Sequence, residues 1–112
     1  MTEVDIRTRL KAAKARMGGF ARSAPELMKG FASISAVATR QGHFSASDRE
    51  LLATAIAVAS GCEDCILYHV DAAKRHGAEE AALVEALEVA VEMGGGPAVM
   101  YAGKAMEAFR EL

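Results

Sequence analysis

Glycine and proline cut this chain into short segments in which apolar residues recur every three to four positions. No period-two run rich in β-branched residues separates them. With 112 residues, enough for one core and too few for two, the pattern predicts an all-α, single-domain fold of about six helices spanning 1–112. The first helix, about Val4 to Met17, carries Ile6, Leu10, Ala13 and Met17 on one face and is expected to stop at Gly18-Gly19. Ser23 is expected to cap a second, with Pro25 in its first turn, that runs to about Arg40 and turns Leu27, Phe31, Ile34, Val37 and Ala38 toward the core.

Ser47-Asp48-Arg49-Glu50 reads as a capping box, serine at N-cap and glutamate at N3, opening a third helix that continues to about Ser60. Gly61 breaks it. A fourth helix starts near Cys62 and reaches His76, with Gly77 as its stop. A fifth, about Ala78 to Met93, sets Glu85, Glu88 and Glu92 opposite Leu83, Leu87, Ala90 and Val91. After Gly94-Gly95-Gly96-Pro97 a sixth, about Ala98 to Arg110, is expected to pack through Val99, Met100, Ala102, Met106 and Phe109.

The 52% apolar fraction is high for so small a domain, while aromatics make up only 5% and tryptophan is absent. Alanine supplies much of the excess. Apolar faces beyond what a small core can hide point to burial against other subunits, hence a homo-oligomer. The net charge of -2 comes from interspersed acids and bases, which argues against a nucleic-acid or membrane partner. The longest apolar stretch, Leu51 to Ala59, is far short of a membrane span, and Met1 to Met17 lacks the pattern of a signal peptide. A cytoplasmic location fits, and there a permanent disulfide is disfavoured.

The two cysteines therefore read as catalytic, redox-cycling or metal-binding. Cys62 and Cys65 are three positions apart, His69 follows four later, and Glu50 precedes Cys62 by twelve. On one helix, Cys62, Cys65 and His69 fall within roughly 60° of each other, forming a column. If the third and fourth helices form an antiparallel hairpin about Gly61, Glu50 comes level with the residues next to His69. The spacing allows a relay in the order Glu50, His69, Cys65, Cys62. A helix N-terminus favours a thiolate, and a neighbouring imidazolium adds to that preference. Such a thiolate can attack a peroxide and be resolved by the second thiol as a disulfide. Other readings stay open: a zinc site of Cys62, Cys65 and His69 completed by Glu50 or His43, two buried small hydrophobes, or Glu50 as a cap alone. His43 in its loop, His76 at a helix end and Tyr68 have ordinary surface or packing readings as well.

The set Glu50, Cys62, Cys65, His69 resembles the core motif of the AhpD-like alkylhydroperoxidases within the carboxymuconolactone decarboxylase family. The resemblance runs from about Pro25 to Phe109 through Ser45-Ala46-Ser47-Asp48-Arg49-Glu50, Gly61 to His69 and Met93 to Pro97. It implies an all-helical fold assembling as trimers or hexamers, with peroxidase or disulfide-exchange activity fed by an external lipoyl-type dithiol and no bound cofactor. Cys65 resembles the peroxide-attacking cysteine, Cys62 its disulfide partner, His69 the proton shuttle and Glu50 the end of the relay. A decarboxylase-like lyase using His69 and Glu50 is the alternative within the family, and a zinc-stabilised structural oligomer the alternative outside it. Asp64 stands where well-known peroxidase members carry a second histidine, and a charged carboxylate there opposes thiolate formation.

Overall fold

Side-chain caps at Asp5, Ser45 and Cys62 begin three of the helices, and glycines with positive φ at Gly61, Gly77 and Gly95 end three. The computed structural model describes residues 4–112, and among these the chain forms six α-helices and no strand: α1 (Ile6–Ser23), α2 (Pro25–Thr39), α3 (Ala46–Ser60), α4 (Glu63–Arg75), α5 (Glu80–Gly94) and α6 (Gly96–Glu111). The all-α, single-domain expectation holds. The core lies between α3, α4, α5 and α6, where Val58, Ile66, Val70, Leu83, Ala105 and Ala108 are fully buried, and α1 closes one side with Ile6 and Leu10. Each large aliphatic side chain buried there contributes roughly 1.5–3 kcal/mol. Among the described residues no helix is long and apolar enough to cross a membrane.

Two glycine turns bracket α4. At Gly61, φ is 72°, and the Gly61 amide bonds Val58 O while the Cys62 amide bonds Ala57 O. This is a Schellman closure. Gly77, with φ at 90°, repeats it through Gly77 N–H to Lys74 O and Ala78 N–H to Ala73 O. A side chain at Gly61 would also meet the Tyr101 ring at 3.3 Å, so the turn is closed sterically as well as torsionally. At the start of α1, Asp5 accepts the Thr8 amide hydrogen, and that bond is the main cause holding its carboxyl below the usual range.

Several local expectations are corrected. Helix α1 runs through Gly18 and Gly19 to Ser23, because good helix formers on both sides outweigh a cost of about 1 kcal/mol per glycine. Ser23 is not a cap: its hydroxyl bonds back to Gly19 O, and Ala24 occupies the N-cap of α2 without a side-chain bond. The N-cap of α3 is Ser45, which accepts from Asp48 N–H at 3.0 Å. Glu50 therefore lies beyond N3, and its carboxylate is free to turn inward. Helix α5 begins at Glu80, since the Gly77 turn uses the Ala78 amide.

Two apolar faces also differ from expectation. No residue of α2 is buried; Leu27, Phe31, Ile34 and Val37 are all more than half exposed, because α2 leans only on α1 and α3, outside the core. On α6 the core side is Ala98, Ala105, Ala108 and Phe109, while Val99 and Met100 point outward. Small residues take the contact because the backbones are close. A methyl on Gly94 would come within 2.8 Å of Ala98 Cβ and 3.3 Å of Ala59 Cα.

Gly94→Ala should thus lower stability by about 1–3 kcal/mol through overpacking. Gly18→Ala, whose new methyl would meet only the Arg22 side chain at 3.7 Å, should raise it by about 0.5–1 kcal/mol. Urea unfolding midpoints of the two variants, moving in opposite directions from the parent, check both.

Candidate active site

The reversal at Gly61 lays α4 antiparallel on α3, and the register brings Glu50 against His69. Glu50 is only 4% exposed. A buried carboxylate needs a partner, and here the His69 ring supplies it: Nδ1 lies 2.8 Å from Glu50 Oε2. That bond fixes the ring orientation and leaves Nε2, which makes no hydrogen bond among the described residues. His69 is about a quarter exposed, with its ring edge-on to Tyr68 at 5.2 Å between centroids.

One turn earlier, α4 opens at the cysteines. Cys62 is the N-cap, its sulfur accepting the Cys65 amide hydrogen at 3.3 Å, and Cys65 occupies N3. The two are joined by a disulfide, with Cα atoms 5.2 Å apart. Cys65 is the exposed partner and Cys62 the half-buried one. Both cysteines lie at the positive dipole end of α4, so reduction would release thiols where negative charge is favoured.

Cys65, Tyr68 and His69 line a cleft of about 630 Å³. Its opposite walls come from Met17 of α1, Phe31 and Ile34 of α2 and Ala53 of α3. Part of the exposed stripe on α2 is thereby explained: it faces the cleft and not the core. Arg49 joins the walls, its guanidinium donating to Val37 O and Ala38 O at the end of α2. Lys14 sits 5.6 Å from the centre of the Tyr68 ring. Asp64 lines the cleft too, paired at 3.0 Å with Arg16 of α1.

The hairpin places together the four residues singled out by spacing: Glu50 touches His69, Cys62 bonds Cys65, and Cys65 shares a cleft wall with His69. Cys62 stands at the helix start and outside the cleft lining. His43 is exposed and does not border the cleft, and among the described residues no three His, Cys, Asp or Glu side chains converge as metal ligands would. Sequence reasoning missed the contribution of α1 and α2, since Arg16, Met17, Phe31 and Ile34 sit far from the motif in the chain. Only the apolar stripe of α2 signalled that this helix had something to cover.

Comparison with known proteins gives a consistent result. The model of the carboxymuconolactone decarboxylase family matches residues 25–108. An uncharacterized protein of Cupriavidus necator is 41% identical over 96% of both chains, and one encoded in the cox locus of Paracoccus denitrificans is 33% identical over 89% of this chain and 90% of its own. The crystal structure of an apo carboxymuconolactone decarboxylase family protein from Legionella pneumophila superimposes with a TM-score of 0.89 at 40% identity, covering 95% of each chain.

Glu50→Ala should strip His69 Nδ1 of its partner and cost about 1–3 kcal/mol of stability. Glu50→Gln, which keeps a polar group of the same shape, should cost less. Chemical denaturation of the oxidised forms measures the difference, and equal losses would contradict the pairing.

Proposed function

This chain belongs to the carboxymuconolactone decarboxylase family, and we propose that within it the protein is a thiol-dependent peroxidase or disulfide oxidoreductase of the AhpD-like type. The observation that carries the reading is a Cys62–Cys65 disulfide at the start of α4 on the same helix as a histidine held by a buried carboxylate. In the reduced enzyme the Cys65 thiolate attacks the terminal oxygen of an organic hydroperoxide; the S–O bond forms as the O–O bond breaks. The departing alkoxide takes a proton from His69 and leaves as the alcohol, and Cys65 becomes a sulfenic acid. Cys62 then attacks the Cys65 sulfur, and the sulfenic oxygen departs as water as the disulfide closes. An external dithiol of the lipoyl type returns two electrons and two protons by thiol–disulfide exchange and is itself oxidised to a disulfide.

Each residue has a distinct part in this cycle. Glu50 holds Nδ1 of His69 and fixes the ring, so that Nε2 is the nitrogen that exchanges protons at the cleft. The walls formed by Met17, Phe31 and Ile34 suit an apolar substituent on the peroxide. Peroxide-dependent oxidation of dihydrolipoamide should occur in the parent and vanish in Cys65→Ser and in Cys62→Ser, while His69→Ala should lower turnover by about 10²-fold or more. Oxidised protein should take up no iodoacetamide, and reduced protein two equivalents, one for each of its two cysteines. Unchanged turnover in both serine variants would sink the proposal. Conversion of a lactone carboxylate that survives loss of both thiols would instead favour a lyase in which His69 and Glu50 alone move protons.

We further propose that the protein is a trimer or hexamer, with the outer part of the α2 stripe buried between subunits. Leu27 and Val37 are more than half exposed and lie outside the cleft lining, and an unpartnered apolar face of this kind marks an interaction surface. Light scattering on the purified protein should return the mass of three or six chains, and Leu27→Glu should shift it toward the single chain. A parent that runs as a monomer at micromolar concentration overturns this assignment.

A further inference from the structure

Two acids, Glu63 and Asp64, lie between the two cysteines, a place where negative charge works against a thiolate. Both are answered from α1. Arg9 pairs with Glu63 and Arg16 with Asp64, the two arginines being seven residues, or two helical turns, apart. The two acids are not equally dependent on α1, however. Glu63 has a second cation, Lys104 of α6, at 3.2 Å, whereas Asp64 has Arg16 alone among the described residues. Asp64 is also the one carboxylate among the residues that line the cleft beside Cys65.

We infer that Arg16 is a positioning residue for the thiol chemistry: it offsets the Asp64 charge and thereby keeps reduced Cys65 in its reactive, deprotonated form. The inference rests on the reading of Cys65 as the attacking sulfur. It is not contained in family membership, since α1 precedes the residues 25–108 that the family model matches. The charged and titratable groups that line the cleft with Cys65 are Lys14 and Arg16 from α1, Arg49 from α3, and Asp64, Tyr68 and His69 from α4, with Glu50 bonded to His69 and with Glu63, held by Arg9 and Lys104, beside the disulfide; the α2 wall adds none. Most of these are already committed: Glu50 to His69, Arg49 to the carbonyls ending α2, and Lys14 to Asp71 at 3.6 Å. Asp64 and Arg16 thus form the one carboxylate–cation pair among the residues lining the cleft with the sulfur. Both side chains are more than half exposed, so solvent screens the effect, and a change of one nearby unit charge in water is worth less than about 1 kcal/mol, about threefold in thiolate population.

The test is the pH profile of iodoacetamide alkylation of the reduced protein, carried out in a Cys62→Ser background so that only Cys65 is labelled. Arg16→Ala should slow alkylation at neutral pH by about threefold and move the profile to higher pH. Arg16→Lys should retain the parent profile, and Arg16→Ala combined with Asp64→Asn should regain it. Arg9→Ala, which removes an equivalent cation from α1 but leaves Glu63 with Lys104, should change the rate by less than half as much. The Arg16→Ala effect should shrink between 0.01 M and 1 M salt, as the screening length falls from about 30 Å to about 3 Å. A parent-like profile for Arg16→Ala, a double variant as slow as Arg16→Ala, or equal slowing by Arg9→Ala overturns the inference. Alkylation needs no peroxide, so the two readings fail separately. Lost dihydrolipoamide turnover with the alkylation series intact removes only the peroxidase, and a flat series with normal turnover removes only the role of Arg16.

Discussion

At Gly61 the backbone enters the left-handed region, and the hydrogen bonds that close the turn use the carbonyls of Ala57 and Val58. A side chain there would be strained in torsion and would press on Tyr101. The direction of α4 follows from this reversal, and so does the meeting of the buried carboxylate with the histidine. Because α4 returns along α3, Glu50 meets His69. Because the turn is closed by the Cys62 amide, that cysteine becomes the N-cap of α4 and Cys65 falls in the first turn, beside the cleft.

Charge is handled differently on the two sides of this hairpin. Inside, the Glu50 carboxylate is buried and met by a single ring nitrogen; removing His69 leaves a buried carboxylate without its partner. Outside, Glu63, Asp64 and Asp71 are matched by cations from α1 in partly exposed ion pairs that solvent weakens. The inner pair holds the histidine in place. The outer pairs join the N-terminal helix, itself docked through Ile6 and Leu10, to α4, with little contribution to stability.

Periodicity carried the helix types and part of the core: Leu83, Leu87 and Ala90 were legible on α5, and Ile6 and Leu10 on α1, whereas the buried face of α4, Ile66, Leu67 and Val70, was not singled out. Ends were harder, because neighbouring residues compete for the same structural role. Ser45 and Ser47 are both good N-caps with an acid downstream, and the backbone entering from residue 44 settled the choice for Ser45. Gly18-Gly19 looks like a stop, but glycine ends a helix only where the chain needs a positive φ, and there it does not. The apolar face of α2 was visible in sequence, yet an amphipathic stripe says only that something covers it. The fold shows part of it lining the cleft.

The spacing of Glu50, Cys62, Cys65 and His69, with a glycine before the first cysteine, allowed the four to meet if the chain reversed at Gly61, because helical rise sets which residues then come level. Sequence also sufficed for the all-α class, since no segment alternates as a strand must. Only the tertiary structure decided what surrounds the sulfurs. The pairing of Arg16 with Asp64 spans 48 residues and joins helices that are not consecutive, and the cleft draws its walls from four helices. Such contacts depend on how whole helices lie against each other, a property set by the sum of many small packing terms and not by any local pattern of residues.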